Sequence, residues 1–379
     1  MPRQNRPWGL TIITGLLLVA TLSVPAAAQV SPDEVVLFHG PYLFWDADGK
    51  LTLVLRGRFF EPENRSAVRR AAIDRVIAPA LFRYMAKKPA DFDDAARELM
   101  YDRLVPFLAD GESGESLKMR LVGHGGAATV TLSETDAGGY FNFTTHEAGI
   151  RTIAELIGAG KELQVQVVVP DEDKRRFVAR VPLPPKRLPL LVISDVDDTV
   201  RIAEVTNRPR MIERVFLRRY EAVPGMSSVY IQLADRGAHL QFVSGSPWQI
   251  GPVIEAFLSE SKFPPAVLHC RHIGWDFWNS DPLHTKDFKI ETIESLLKQF
   301  AGCQVLLIGD DGEHDPEVYS EICRTHPDRV AGVWIRRVRD MWDATRLAEP
   351  ARLLGRERAV AFKDSTELKQ VLEKIEIAR

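Results

Sequence analysis

The feature that most constrains the fold is an apolar run that ends in a cluster of carboxylates. Residues 190–194 read Leu-Leu-Val-Ile-Ser, and Asp195, Asp197, Asp198 and Thr199 follow at once. A run of this length and composition predicts a buried strand, whose carboxyl end opens into the crevice where open α/β sheets bind ligands. Three acids so close together repel one another unless a cation or a proton lies among them. Taken alone, the stretch fits an acidic turn after a core strand better than it fits a functional site.

Two later apolar runs end in polar residues in the same way. Residues 239–243 lead into Ser244, and residues 305–308 lead into Gly309 and Asp310. Strands and helices alternate through this half of the chain, which predicts a parallel sheet whose carboxyl ends share one edge. The polar groups that this alternation brings to that edge are the carboxylates of Asp195, Asp197, Asp310 and Asp315, the hydroxyl of Ser244 and the ammonium group of Lys289 on a predicted helix.

These groups suit one kind of chemistry. Hard oxygen ligands favour Mg²⁺. A carboxylate nucleophile, a second carboxylate as acid and base, and a hydroxyl with an ammonium group to hold phosphate oxygens make a phosphoryl-transfer site. Each group also has a purely structural reading, Ser244 as a helix cap, Lys289 as a solvated helix residue and Gly309-Asp310 as an ordinary turn.

Length, charge and cysteine content narrow the possible classes. A chain of 379 residues predicts two or three domains. Its net charge of -3 argues against a general nucleic-acid binder, so no nucleic-acid partner is expected. None of the three cysteines, Cys270, Cys303 and Cys323, belongs to a Cys-x-x-Cys pair, which argues against a zinc or redox motif. One disulfide is compatible with the count, and at least one thiol then stays free.

The N-terminus has the pattern of a secretory signal peptide. Arg3 and Arg6 precede an apolar stretch over residues 8–24, and small residues end at Ala28. This pattern predicts a signal peptide at 1–28 and an exported protein, periplasmic or secreted. An uncleaved membrane anchor is the alternative, although the stretch is short for a membrane span.

The remaining sequence divides at a proline-rich joint over residues 182–189. Residues 30–185 contain short strands separated by turns and predict a β-rich, sandwich-like domain. A change to helical spacing predicts a helical insertion at about 64–108. Residues 46–49, Asp-Ala-Asp-Gly, predict a hairpin turn rather than a calcium loop. Residues 186–379 form the predicted α/β domain.

The motifs of this second domain resemble those of the haloacid-dehalogenase-like (HAD-like) phosphatases and, more narrowly, the actin-patch-associated phosphatidate phosphatase family. The matching segments are Ser-Asp-Val-Asp-Asp-Thr-Val at 194–200, Val-Pro-Gly-Met at 223–226, Val-Ser-Gly-Ser-Pro-Trp-Gln at 243–249 and Ile-Gly-Asp-Asp-Gly-Glu-His-Asp-Pro-Glu-Val-Tyr at 308–319. The resemblance implies a Rossmann-like parallel sheet with helices on both faces. It also implies a Mg²⁺-dependent phosphatase that acts on phosphatidate or a related lipid phosphate through an aspartyl phosphate.

The resemblance also implies a role for each motif residue. Asp195 would be the nucleophile, Asp197 the acid and base, and Thr199 the residue that orients Asp197. Ser244, Gly245 and Lys289 would bind the phosphoryl group. The metal ligands would be Asp195, Asp197 through its main-chain carbonyl, Asp310 and Asp315. Two alternatives stay open here, Lys286 in place of Lys289 and Asp311 in place of Asp315.

Other features bear on the substrate. The aromatic stretch Trp275-Asp276-Phe277-Trp278 either packs against the domain or makes peripheral membrane contact. Four arginines, Arg201, Arg208, Arg210 and Arg218, either meet an anionic substrate or stay solvated. Two alternative functions are an exported phosphatase for soluble phosphate esters and a non-enzymatic surface binding module.

Overall fold

The computed structural model describes most of the chain beyond the predicted signal peptide. The described residues are 30–62, 71–272, 282–341 and 343–374, without the side chains of residues 282–284. The predicted signal peptide at 1–28 and the aromatic stretch at 275–278 lie outside them. Within the described ranges, no helix is both long and apolar enough to span a membrane.

Antiparallel strands make up the first half of the chain. These strands are β1 (Val35–Phe38), β2 (Tyr42–Trp45), β3 (Leu51–Glu61), β4 (Asp110–Gly111), β5 (Lys118–Gly123), β6 (Gly126–Thr131), β7 (Tyr140–Thr145), β8 (Glu147–Ala148), β9 (Arg151–Thr152), β10 (Glu162–Val167) and β11 (Val178–Pro182). In one sheet β3 pairs with β1, β2, β4 and β7, and a second sheet has the order β11-β10-β5-β6. Buried residues of both sheets, among them Leu53, Leu55, Leu121 and Val165, form one core.

The expected hairpin turn joins β2 to β3. The two strands pair antiparallel, and the Asp46 carboxylate accepts the backbone N–H groups of Asp48 and Lys50 at 3.0 and 2.8 Å. Because both bonds lie within the turn, the carboxylate of Asp46 stabilises the hairpin that the sequence predicts.

A parallel sheet of six strands forms the second half. Its strands are β12 (Leu190–Ser194), β13 (Ala238–Pro247), β14 (Val267–Arg271), β15 (Gln304–Asp310), β16 (Val330–Arg336) and β17 (Ala359–Phe362), in the order β14-β13-β12-β15-β16-β17. All five neighbouring pairs are parallel. The strand order reverses between β12 and β15, so the chain leaves these two strands in opposite directions and opens a crevice beyond their carboxyl ends.

Helices accompany both halves. They are α1 (Ala78–Tyr84), α2 (Asp94–Leu108), α3 (Ile153–Ile157), α4 (Arg208–Leu217), α5 (Met226–Asp235), α6 (Gly251–Glu260), α7 (Pro282–Gln299), α8 (Asp315–Thr325), α9 (Ala348–Leu354) and α10 (Lys369–Lys374). A π-helical segment (Ile73–Ile77) precedes α1, and short 3₁₀ turns lie at Pro89–Asp91, Trp248–Ile250, Ala344–Leu347 and Ser365–Leu368.

The helices cover both faces of the parallel sheet. Successive strand residues alternate between two cores, since Val192 and Leu306 pack with α5 and α6, whereas Ile193 and Leu307 pack with α7 and α8. This alternation is the consequence of a strand buried on both faces. The predicted α/β class, with an antiparallel domain ahead of it, is confirmed.

The helices α1 and α2 pack on the α/β half, although the sequence places them inside the β-rich region. Leu104 and Phe107 of α2 share a core with Ile212 and Phe216 of α4. The guanidinium group of Arg103 donates to two main-chain carbonyls at the end of α4, with a distance of 2.6 Å to Val215. This segment therefore connects the two halves.

A buried chain of polar side chains also crosses between the halves. Arg56 of β3 contacts Nδ1 of His269 at 2.8 Å, Nε2 of His269 contacts Oε1 of Gln241 at 2.7 Å, and Nε2 of Gln241 contacts Nε2 of His239 at 2.9 Å. An arginine can only donate, so Nδ1 of His269 accepts and the ring is neutral. Burial, aided by Arg56, lowers the pKa of His269 well below its ordinary value. These four side chains therefore keep all their mutual hydrogen bonds only while the His269 ring carries no charge.

The three cysteines do not pair. Cys270, Cys303 and Cys323 are all free and buried. Burial raises the pKa of the Cys270 thiol. The disulfide that the count allowed is not formed, and the three thiols act as small apolar side chains of the core.

Candidate active site

Asp195 lies at the carboxyl end of β12, in the centre of the parallel sheet. Its side chain is buried, and its backbone N–H donates to the carbonyl of Ile308 on β15 at 2.9 Å. The hydroxyl of Ser194 donates to the Asp195 carbonyl at 2.7 Å and is itself in contact with the hydroxyl of Tyr230 at 2.5 Å. These bonds hold the main chain at Asp195 in one position, so its carboxylate is fixed relative to the sheet.

The third acid of the cluster, Asp198, stabilises the loop that follows β12. It has a φ of 56°, a left-handed conformation that aspartate tolerates better than most residues. Its carboxylate accepts the backbone N–H groups of residues 203–205 at 2.7 to 3.0 Å. These three bonds account for both carboxylate oxygens, and we therefore assign Asp198 a structural role.

Thr199 contacts a different acid from the one expected. Its hydroxyl donates to Oδ2 of Asp195 at 3.4 Å, so the expectation that it orients Asp197 is wrong. The physical reason is the turn of the chain after β12, which directs the Asp197 side chain away, toward Arg201 and Ser246.

Asp197 is held on both of its carboxylate oxygens. Arg201 donates to Oδ1 from Nε at 2.7 Å and also from Nη2. The hydroxyl of Ser246 donates to Oδ2 at 3.1 Å. The Asp197 carboxylate is 16% exposed, more than that of Asp195 at 3%. It is therefore the more accessible of the two acids.

Ser244 and Gly245 lie near the end of β13. Ser244 is fully buried, and its oxygen accepts the backbone N–H of Ser246 at 3.1 Å, which leaves the hydroxyl proton for another acceptor. A Cβ atom on Gly245 would lie 2.8 Å from the methyl carbon of Thr285 on α7. Glycine therefore lets the β13 loop and α7 approach each other at the site.

Lys289, rather than Lys286, reaches the acids from α7. Its ammonium nitrogen lies 2.8 Å from Oδ1 of Asp195 and 2.5 Å from Oδ1 of Asp315, and the side chain is 2% exposed. Lys286, three residues earlier, is partly exposed. The docking of α7 thus decides the alternative that the sequence left open.

Asp315, rather than Asp311, faces Asp195. The carboxylates of Asp195, Asp310 and Asp315 each offer an oxygen, and these oxygens lie within 4.8 Å of one another. Asp311 turns toward the loop after β16, where its Oδ1 accepts the backbone N–H groups of Val338 and Arg339.

The side chain of Asp197 is not part of this group of carboxylates, because it is bound to Arg201 and Ser246. Its expected contribution to a metal, through the main-chain carbonyl, stays a prediction.

Burial and mutual repulsion dominate the electrostatics. Burial raises the pKa of Asp195 well above its usual value, opposed by Lys289 and reinforced by Asp315. Burial and the neighbouring Asp315 and Asp195 raise the pKa of Asp310 in the same direction. Although burial disfavours its charge, Lys289 has a raised pKa because Asp195, Asp315 and Glu313 surround it. The site thus holds more negative charge than the single ammonium group balances.

The acidic group fits a divalent cation. When all three carboxylates are ionised, they and the one ammonium group carry a net charge of two negative units, which one divalent ion would neutralise. Oδ2 of Asp310 is buried and has no hydrogen-bond partner, whereas its Oδ1 accepts the backbone N–H of Gly312 at 2.6 Å. A buried carboxylate oxygen without a partner is costly, and a bound cation would satisfy it.

Sequence reasoning missed several residues at this edge. Ser246 and Glu313 lie within the quoted motifs but had no role; Glu313 is 4.0 Å from the Lys289 ammonium group and about one-third exposed. Arg271 at the end of β14 donates to the hydroxyl of Thr285 at 2.6 Å. Arg201 is almost completely buried rather than solvated. An arginine four residues after an acid was the available signal, but four arginines in this region look alike in sequence.

Two curated proteins match parts of this chain. An uncharacterized protein of Schizosaccharomyces pombe is 28% identical over 212 residues, covering 52% of this chain and 34% of the relative. The protein named phosphatidate phosphatase APP1 of Saccharomyces cerevisiae is 29% identical over 149 residues, covering 38% of this chain and 25% of the relative. The chain therefore spans about a third or less of the length of these curated relatives.

A solved structure described as a phospho-aspartyl intermediate analogue of phosphoserine phosphatase overlaps 49% of this chain and 98% of its own, with 14% identity and a TM-score of 0.32. A family model described as "Phosphatidate phosphatase APP1, catalytic domain" matches residues 190–337, which include the strands and loops that form the site. Residues 190–337, less than half of the chain, thus match the family of phosphatidate phosphatase APP1 catalytic domains.

Proposed function

We propose that this chain is a Mg²⁺-dependent phosphatase that hydrolyses a phosphomonoester through a phosphorylated Asp195, and that its substrate is phosphatidate or a related lipid phosphate. The observation that carries the proposal is the buried group formed by Asp195, Lys289, Asp310 and Asp315 beyond β12 and β15. The family match of residues 190–337 supports the same chemistry.

The proposed first step is attack by a carboxylate oxygen of Asp195 on phosphorus. The bond between phosphorus and the ester oxygen breaks, and that oxygen takes a proton from Asp197 as the alcohol leaves. The Ser244 hydroxyl, whose proton is available, donates to a phosphoryl oxygen. The Lys289 ammonium group, already 2.8 Å from Asp195, balances the charge of the phosphorylated side chain.

The proposed second step restores the enzyme. Asp197, now ionised, takes a proton from a water molecule that attacks phosphorus. The bond to the Asp195 oxygen breaks, which releases inorganic phosphate and returns Asp195 to a carboxylate. Asp195, Asp310 and Asp315 would hold Mg²⁺, which supplies positive charge to the phosphoryl oxygens when bound.

The substrate proposal rests on the relatives. The yeast protein that this chain resembles is named a phosphatidate phosphatase, and the predicted export of this chain would place such an activity outside the cytoplasm. A soluble phosphate ester is the competing substrate. The peripheral membrane contact expected of residues 275–278 stays a prediction, because these residues lie outside the described ones.

The deciding experiment measures phosphate release from phosphatidate in vesicles and from a soluble ester, each with Mg²⁺ and with EDTA. We expect Mg²⁺-dependent release that is faster from the vesicles. Faster release from the soluble ester alone would replace the lipid proposal with the second candidate. No release from either would leave a binding module as the better description.

The covalent step has its own test. Asp195→Asn should abolish turnover, whereas Asp235→Asn, which makes the same change at an exposed position of α5, should not. Rapid acid quench followed by mass spectrometry should find phosphate on Asp195 in the unaltered protein. Full Mg²⁺-dependent turnover by Asp195→Asn would disprove the aspartyl-phosphate mechanism.

A further inference from the structure

The contacts of Asp197 differ between its two oxygens. Oδ1 receives two N–H groups from the same guanidinium group, Nε of Arg201 at 2.7 Å and Nη2. Oδ2 receives one hydroxyl, that of Ser246, at 3.1 Å. The two partners differ in chemistry, because a guanidinium group only donates hydrogen bonds whereas a hydroxyl donates or accepts.

Arg201 itself is held in a rigid frame. Its backbone N–H donates to the carbonyl of Val196 at 3.0 Å, and its carbonyl accepts the N–H of Asp198 at 2.6 Å. The side chain is 1% exposed, and its guanidinium carbon lies 4.0 Å from the centre of the Tyr220 ring. Arg103 of α2 also lies over this ring, at 4.2 Å. A buried cation with this fixed backbone cannot follow a moving carboxylate far, so it defines where Asp197 sits.

The different partners decide which oxygen can carry a proton. A proton on Oδ1 would face two N–H donors, which have no lone pair to receive it. A proton on Oδ2 can be accepted by Ser246, whose hydroxyl then turns from donor to acceptor. Oδ2 is therefore the oxygen that can cycle between the ionised and the protonated form without loss of its partners.

We propose that Arg201 is a positioning residue that holds Oδ1 of Asp197 and so presents Oδ2, with Ser246, as the atom that gives and takes the proton. This inference rests on the proposed phosphatase function and adds a residue to it. In the first step Oδ2 gives its proton to the ester oxygen as the bond from that oxygen to phosphorus breaks. In the second step Oδ2 takes a proton from the attacking water, while the bond from phosphorus to Asp195 breaks.

The test compares two leaving groups. An alkyl alcohol leaves poorly without a proton, whereas nitrophenol leaves readily as an anion, so only the alkyl ester depends strongly on a well-placed acid. We would measure kcat/KM for an alkyl phosphate and a nitrophenyl phosphate that carry the same acyl chain in detergent micelles, since kcat/KM includes every step through loss of the alcohol.

Arg201→Met and the milder Arg201→Lys remove the paired donors, and Ser246→Ala removes the hydroxyl. We expect Arg201→Met to lose on the order of 10²-fold on the alkyl ester and only a few-fold on the nitrophenyl ester, with KM nearly unchanged. Arg201→Lys and Ser246→Ala should also lose more activity on the alkyl ester than on the nitrophenyl ester, but the losses should be smaller. Arg120→Met, at an exposed position of β5, is the matched control and should behave like the unaltered protein on both esters.

Equal losses on both esters would show that Arg201 only supports the fold, and unchanged activity on the alkyl ester would show that it does nothing for Asp197. Either result overturns the inference. If Arg201→Met does not fold, as judged by circular dichroism, the same comparison with Arg201→Lys decides. Failure of the unaltered protein to hydrolyse either ester would instead refute the proposed function.

Discussion

Replacing Lys289 by methionine removes an ammonium group that contacts both Asp195 and Asp315 inside the protein. At 2.8 Å and an effective dielectric constant of about 20, one such pair has a Coulomb energy of roughly 6 kcal/mol. Desolvation offsets much of this attraction, and the loss of one partner from a buried pair costs about 3–5 kcal/mol because a buried charge is left uncompensated. We therefore expect Lys289→Met to lower the unfolding midpoint of the metal-free protein by on the order of 10 °C.

The assay is thermal unfolding followed by circular dichroism in EDTA, with Lys286→Met as control. Lys286 lies on the same helix but is partly exposed, so its replacement should change stability by less than about 0.5 kcal/mol. Lys289→Met should also reduce turnover by about 10²- to 10³-fold. Equal stability of the two variants, or a loss of activity in Lys286→Met alone, would refute the assignment of Lys289.

Magnesium and pH extend the same prediction. Without Lys289 the site keeps more negative charge, so Mg²⁺ should stabilise Lys289→Met more than the unaltered protein. A Mg²⁺ concentration of 100 times the Kd contributes about 2.7 kcal/mol to the free energy of unfolding.

The pKa values of Asp195 and Asp310 are raised in the folded state. Carboxyls of this kind stabilise the fold at acidic pH, and the contribution is lost as pH rises through the raised pKa. Metal-free protein should therefore lose stability toward neutral pH, and a flat profile would contradict the charge assignment.

Three further predictions concern Asp315, Asp198 and Arg56. Asp315→Asn should abolish the stabilisation by Mg²⁺ in thermal unfolding, whereas Asp311→Asn should keep it, and the reverse result would exchange their roles. Asp198→Ala, which removes the acceptor of three backbone N–H groups, should cost about 1–3 kcal/mol in urea unfolding; an unchanged midpoint would count against its structural role. Arg56→Met should lower the free energy of unfolding by about 3 kcal/mol or more, since it leaves buried acceptors unpaired. Arg120→Met, at an exposed position, should change this free energy very little. Similar values for the two variants would disprove the row of polar side chains between the halves.

The chemistry of the site was predictable because its signal is local. Each of the two apolar runs, before Asp195 and before Asp310, can be recognised within a segment of about ten residues. A parallel sheet then brings the carboxyl ends of both strands to one edge. The hairpin at Asp46 is equally local, since its side chain bonds its own turn. Such features need only the period of the apolar residues and the chemistry of the residues that follow.

The helix α2 shows what a short segment of sequence does not predict. Its apolar spacing predicts a helix but does not name the surface that it covers. In the structure Phe107 packs on Phe216 with the ring centres 6.3 Å apart, so the helix covers part of the α/β half. The partner surface comes from more than 100 residues away, and it is not encoded in the helix itself.

The sequence by itself determined many of the chemical groups that reach the sheet edge, although not Ser246, Glu313 or Arg271, because strand length, helix period and residue type are properties of short segments. Only the tertiary structure decided which group touches which. The rotation of α7 brings Lys289 and not Lys286 to Asp195, the turn after β15 brings Asp315 and not Asp311, and the path of the chain after β12 gives Asp197 to Arg201 rather than to Thr199. These choices depend on how elements dock and how the chain turns, which are set by the whole core rather than by neighbouring residues.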